Sequence, residues 1–208
     1  MGPVRLTRDE KRAQTRDALI DAAARVFARQ GFHGASLDEI ADAAGFSKGA
    51  IYSNFDSKED LFLQVLDHHD RQQQAALSEA LVRGSTLEER LRSLGEWFDR
   101  MVEEERDWSL LTLEFSMYAA RNPSLREALA AHHRQSKEAV ANLIERQSAD
   151  LGFPLADDPG RLAQAVQALG TGISIHRLVD PEAMANDLFP EAVARLLGLE
   201  PPGPGAAG

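Results

Sequence analysis

At 208 residues the chain is long enough to bury a sizeable core, and with no cysteine it excludes disulfides, thiolate metal sites and cysteine nucleophiles. A net charge of −10 argues against broad, nonspecific coating of nucleic acid, which needs a large basic surface. The charge is uneven: residues 1–60 hold nine Lys/Arg against ten Asp/Glu, while residues 61–208 hold 14 against 23, so the acidic load lies in the C-terminal part.

Residues 1–14 read as a basic arm, flexible or partly helical, in which Arg5, Arg8, Lys11 and Arg12 follow phosphates or a minor groove or form a solvated tail. Thr7 with Glu10 offers one cap for an early helix start, and Thr15 offers the alternative. The first helix is centred on Ile20, Ala23, Ala24, Phe27 and Ala28, the spacing of one buried face, and Gly31 ends it. Phe32 is expected in the core and His33 at a surface turn.

Residues 36–55 form two short helices around a tight turn. Leu37, Ile40, Ala41 and Ala44 give the first an apolar face. Ser36 with Glu39 makes a capping box, Gly45 supplies the left-handed end, and Ser47 caps the next helix. Ala50, Ile51 and Phe55 then give a second apolar face. Helix, glycine-containing turn and helix make a helix-turn-helix, whose second member enters a DNA groove. On its outer side Lys48 suits guanine or phosphate, Gly49 permits close approach, and Tyr52 carries a hydroxyl suited to phosphate. The expected DNA contacts are Ser36, Ser47, Lys48, Gly49, Ala50, Tyr52, Ser53, Asn54 and Lys58.

Residues 15–61 resemble the DNA-binding domain of the TetR family of transcriptional regulators. The resemblance rests on Thr15 to Ile20, Ala23, Ala24, Phe27, Gly31, Phe32, Ser36, Ile40, Ala41, Ala44, Gly45, Ser47, Lys48, Gly49, Tyr52, Phe55, Lys58 and Leu61. Asn54 stands where the family pattern often has His. The resemblance implies a homodimer on a double-stranded DNA operator, mostly as a repressor released by a small molecule.

The rest of the chain continues in helical patterns. Ser57 with Asp60 caps a long fourth helix reaching Leu81 or Val82, with Leu61, Phe62, Val65, Leu66 and His69 on one side. Its position makes it the lever between head and body. Gly84 breaks the chain, and Thr86 with Glu89 caps a fifth helix whose face holds Leu91, Leu94, Trp97, Phe98 and Met101. Residues 107–121 form a sixth helix striped with Trp108, Leu111, Phe115 and Tyr118; Glu114 among them is a structural carboxylate or a ligand-binding group. Pro123 precedes a seventh helix, begun by Ser124 with Glu127 and lined by Leu125, Leu129, His132, Val140 and Leu143. Residues 161–179 are apolar on two stripes, one of Leu162, Val166, Leu169 and Ile173 and one of Ala165, Ala168, Gly172 and Ile175, so they need cover from two directions. Pro190 opens a last helix with Val193, Leu196 and Leu197 inward. Residues 201–208, all Pro, Gly and Ala, are expected to be disordered.

The expected fold is all-α: a three-helix head over residues 15–60 and a body of about six helices over 61–200 for ligand binding and dimerisation. Leu162, Val166, Leu169, Gly172, Ile173, His176, Val193 and Leu197 are expected at the dimer interface, the alternative being that the eighth helix is wholly intramolecular. A ligand pocket is expected among His69, Trp97, Met101, Trp108, Phe115, Tyr118, His132 and Leu143, suited to a small apolar or aromatic effector. No cofactor and no metal site is expected, because adjacent histidines on a helix point about 100° apart. No apolar run nears the roughly 20 residues of a membrane span, which places the protein in the cytoplasm. Catalytic motifs are missing, so an enzyme is not expected; the other alternative is a helical scaffold that binds protein.

Overall fold

The computed structural model describes residues 7–182 and 184–200. The N-terminal residues of the expected arm and the expected disordered tail lie outside them. Among the described residues there are nine helices and no strand: α1 (Arg8–Gly34), α2 (Leu37–Ala44), α3 (Lys48–Tyr52), α4 (Lys58–Val82), α5 (Leu87–Glu104), α6 (Arg106–Ala120), α7 (Pro123–Leu151), α8 (Pro159–Val179) and α9 (Leu188–Leu196). The chain divides into two compact units. One holds the chain up to Asp70 together with Leu110–Leu129; the other holds Arg71–Ser109 and the chain from Ala130 on. The first therefore takes in more than the expected head of residues 15–60.

Local capping decides where the helices begin. Thr7, not Thr15, starts α1: its side chain accepts from the Glu10 amide, and the Glu10 carboxylate reaches back to the Thr7 amide at 2.7 Å. Thr15 instead donates to the Lys11 carbonyl from within the helix. Ser36 with Glu39 and Thr86 with Glu89 form the same box at α2 and α5. The α7 cap differs from the Ser124 expectation. Asn122 Oδ1 accepts from the Leu125 amide at 3.4 Å, and Pro123 fills the first helical position, where a missing N–H costs nothing. Asp158 and Pro159 repeat that arrangement at α8.

The first unit is built on aromatic rings. Phe27, Phe32, Phe62 and Phe115 are fully buried, and Phe62 and Phe115 lie 4.1 Å apart between centroids. Phe32 reaches this cluster because Gly31 leaves the helical path at φ 74°, a conformation open to glycine. Glu114 of α6 closes the turn: one carboxylate oxygen accepts from the Phe32 amide and the other from the His33 amide, each at 3.1 Å. It is thus a structural carboxylate, held by backbone donors.

The second unit packs α5, α7, α8 and α9 around Phe98, Ile144, Leu162, Ala163, Ile173, Phe189, Val193 and Leu197. The rings of Phe98 and Phe189 stack at 3.8 Å. Gly170 faces both rings, and a Cβ there would lie 3.4 Å from each. Two arginines are buried with their charges answered. Arg90 donates to the Gly84 carbonyl, Gln147 and Asp150; Arg177 donates to Asp99 at 2.6 Å and to the Ala185 carbonyl at 3.2 Å. Sequence patterning gave no sign of either.

This packing encloses four of the expected interface residues. Leu162, Ile173, Val193 and Leu197 are buried inside the chain's own core. Val166 and Leu169 pack half-buried against the same cluster. The open side of α8 is a neighbouring stripe of Gln164, Ala168, Thr171, Ile175 and Val179, and Val179 is 88% exposed. Gly172 and His176 flank that stripe, and a Cβ on Gly172 would meet nothing within 4 Å.

Candidate nucleic-acid interface

α2 and α3 form the expected hairpin. Gly45 ends α2 at φ 73°, and the Phe46 amide returns to the Ala41 carbonyl at 3.0 Å, closing the turn. Ile40, Ala41, Ile51 and Phe55 are buried and turn the opposite faces of both helices outward. Ser47 takes the N-cap position of α3, but its side chain makes no capping bond. α3 is only five residues long.

Its outer edge is open. Ser47, Lys48, Gly49 and Ser53 are exposed, Tyr52 is 61% exposed, and Ala50 is half-buried. Lys48 is engaged by the Asp38 carboxylate of α2. That hydrogen bond and charge, with smaller pushes from Asp42 and Tyr52, raise its pKa above the ordinary lysine value. Ser36 is exposed and tied to its capping partner Glu39. Asn54 turns inward: its amide donates to the Ala50 carbonyl at 2.7 Å, and its carbonyl oxygen is buried without a partner among the described residues. Lys58 is half-buried, donates to the Ala35 carbonyl at 3.0 Å and lies 4.7 Å from the Phe32 ring centroid. An ammonium has three donors, so that bond leaves capacity for more.

Behind this edge stand two residues of α1 that the sequence reading did not attach to it. Arg16 donates to the Asn54 carbonyl at 2.7 Å and covers Phe55, its guanidinium 4.6 Å from the ring centroid. Arg12 reaches the Ser53 carbonyl at 3.4 Å. No local pattern announces these contacts, which span about forty residues of sequence.

The expected ligand residues fall in both units. His69, Phe115 and Tyr118 belong to the first. Phe115 is part of the aromatic cluster, and Tyr118 donates to Glu59 at 3.1 Å, a bond that raises its pKa. Trp97, Met101, Trp108, His132 and Leu143 belong to the second. Trp97 and Met101 pack half-buried on its core cluster; Leu143 is buried. The Trp97 indole N–H is buried without a hydrogen-bond partner among the described residues. No described helix is long and apolar enough to cross a membrane. No described group of three or more His, Asp or Glu gathers to hold a metal.

Comparison with known proteins agrees with this geometry. Residues 19–65 match the model of bacterial regulatory proteins of the tetR family, and residues 87–199 match that of the BetI-type transcriptional repressor C-terminal region. The transcriptional activator FasR of Mycolicibacterium smegmatis is 35% identical over 144 residues, which are 69% of this chain and 63% of that protein. The transcriptional repressor AcnR of Corynebacterium glutamicum is 31% identical over 150 residues, 72% of this chain and 74% of that one. Among solved structures, the regulator FadR of Bacillus subtilis in complex with stearoyl-CoA has the same fold, with a TM-score of 0.65 at 19% identity over 87% of this chain and 96% of that one.

Proposed function

Because this chain belongs to the TetR family of bacterial regulatory proteins and is a transcriptional regulator that binds DNA through its helix-turn-helix, we propose that it is a homodimeric repressor of a palindromic operator, released by a small apolar or aromatic molecule. The observation that carries the reading is the open outer edge of α3. Lys48, Gly49 and Tyr52 leave it toward solvent while Ile51 anchors the opposite face. In this arrangement Lys48 reads base edges, Gly49 lets the backbone approach, and Tyr52, Ser36, Ser47 and Ser53 meet phosphates. Lys58 adds a phosphate contact at the start of α4. Ala50 and Asn54 set the spacing behind them.

The second copy lies on the open stripe of α8. Ala168, Thr171, Gly172, Ile175 and Val179 are small or apolar and uncovered, which suits close helix pairing about a two-fold axis. Two heads related in this way meet major grooves about 34–36 Å apart, one turn of DNA. What supports repression is the match of residues 87–199 to a repressor C-terminal region. The effector enters beside Trp97 and Met101, where the unpartnered indole N–H awaits an acceptor. It disfavours the DNA-bound form by its differential affinity for the other conformation. Such a protein works in the cytoplasm, where the genome is.

Sequencing genomic fragments retained by the purified chain tests this reading. The expected result is a palindromic motif upstream of a few genes, bound by a dimer in gel-shift titrations. Retention of fragments without a shared motif sinks it.

A further inference from the structure

A helix of five residues is about one and a half turns. Nucleation makes such a helix unstable alone, and its last carbonyls have no partner inside it. In α3 the Gly49 and Ile51 carbonyls accept from the Ser53, Asn54 and Phe55 backbone amides and the Ala50 carbonyl from the Ser53 and Asn54 side chains, while α1 meets the two carbonyls that follow the helix. Ser53 is the C-cap, and Ser53 and Asn54 present their carbonyls to Arg12 and Arg16, which sit one turn apart on α1. The Thr7 capping box makes this stretch of α1 helix rather than loose arm, so both guanidinium groups come from an ordered surface. They line a shallow cleft with Asp9, Ala13 and Asn54. Arg16 also stacks on Phe55, which is buried beneath the end of α3. A bond from an ionised donor is about twice as strong as a neutral one, and a guanidinium fork loses less freedom in making it than an ammonium does.

We propose that Arg16, seconded by Arg12, is a positioning residue for DNA reading: it fixes the C-terminal end of α3 so that Lys48, Gly49 and Tyr52 meet the groove in one register. The proposal rests on α3 being the helix that reads DNA.

The test uses the full chain with Arg16→Gln and Arg16→Lys. The probes are a fluorescein-labelled duplex enriched by the wild-type chain from a random-sequence pool, and a scrambled duplex of equal composition. Anisotropy titrations over a KCl series give affinity and salt slope on each. Arg16→Gln is expected to weaken the enriched duplex about tenfold, to change the scrambled one by less than about twofold, and to leave the salt slope unchanged, because no phosphate contact is lost. Arg16→Lys falls between and decides the matter if Arg16→Gln does not fold. Amide hydrogen exchange at Asn54 and Phe55 speeds up in both variants. Equal losses on both duplexes with a slope shallower by about one would make Arg16 a phosphate contact and overturn the proposal. An unchanged ratio of the two affinities, whatever happens to the melting temperature, overturns it too. A wild-type chain that enriches no sequence removes the DNA-reading role of α3 itself; enrichment with indifferent variants removes only the role of Arg16.

Discussion

Lys48 is the exposed cation at the start of α3, yet it faces its own carboxylate, Asp38 of α2. An exposed pair of this kind stabilises little, so its effect lies in the field presented to DNA. Asp38→Asn frees the ammonium. Binding to scrambled duplex is expected to tighten more than binding to the operator, with a salt slope steeper by about one. Equal affinities before and after the change would show that Asp38 does not shape selectivity. Glu114 acts within the protein. Glu114→Ala leaves the Phe32 and His33 amides without their acceptor, at a cost of about 1–3 kcal/mol, measurable as a lower urea midpoint. A midpoint unchanged from wild type would mean that water replaces the carboxylate without loss. Lys48 was legible from its place after Ser47. The partner of Glu114 was not, because it is backbone in a distant turn, and sequence shows side chains alone.

Helix boundaries were legible where a complete box had no rival cap nearby. The boxes at Ser36 and Thr86 stand as read, and the choice between Thr7 and Thr15 was resolved only by the structure. At α7 two adjacent caps competed, and Pro123 favoured Asn122 by occupying the first helical position. The boxes make the helix starts sensitive to acid. Hydrogen bonds from the Ser85 side chain and from the Ser85 and Thr86 amides hold the Glu89 carboxyl below the ordinary value, and the Thr7 amide and hydroxyl do the same to Glu10. A folded-state pKa below the unfolded one adds stability that is complete above the unfolded value, about 4.3 for Glu, and is lost as pH falls through the folded value. Wild type is therefore expected to melt higher than Glu89→Gln at pH 7, and the difference to close as pH falls below about 4. A gap that persists in strong acid would rule out charge as its source.

Across the whole molecule, the two apolar stripes of α8 were visible in sequence, but not which of them the chain keeps for itself. That choice is made by non-local packing: Leu162 and Ile173 join the cluster around Phe98 and Phe189, and Ile175 and Val179 stay outside. Gly172→Trp projects a large side chain into open space on the uncovered side. Monomers are expected in sedimentation velocity, with the melting curve of each chain little changed. A clean dimer would place the two-fold axis elsewhere. The acidic C-terminal part, −9 over residues 61–208, repels DNA outside the head.

The clamp on α3 has a further consequence for exchange of specificity. Arg12 and Arg16 hold main-chain carbonyls, and Ile51 and Phe55 lie under the helix, so apart from the exposed Lys48–Asp38 pair these anchors do not use side-chain atoms of Lys48, Gly49 or Tyr52. Anchor and reading head are separate sets of atoms. A library randomised at those three positions alone can therefore be searched for new operators while the hairpin stays seated, and recognition edges from relatives can be grafted where the graft spares the buried pair.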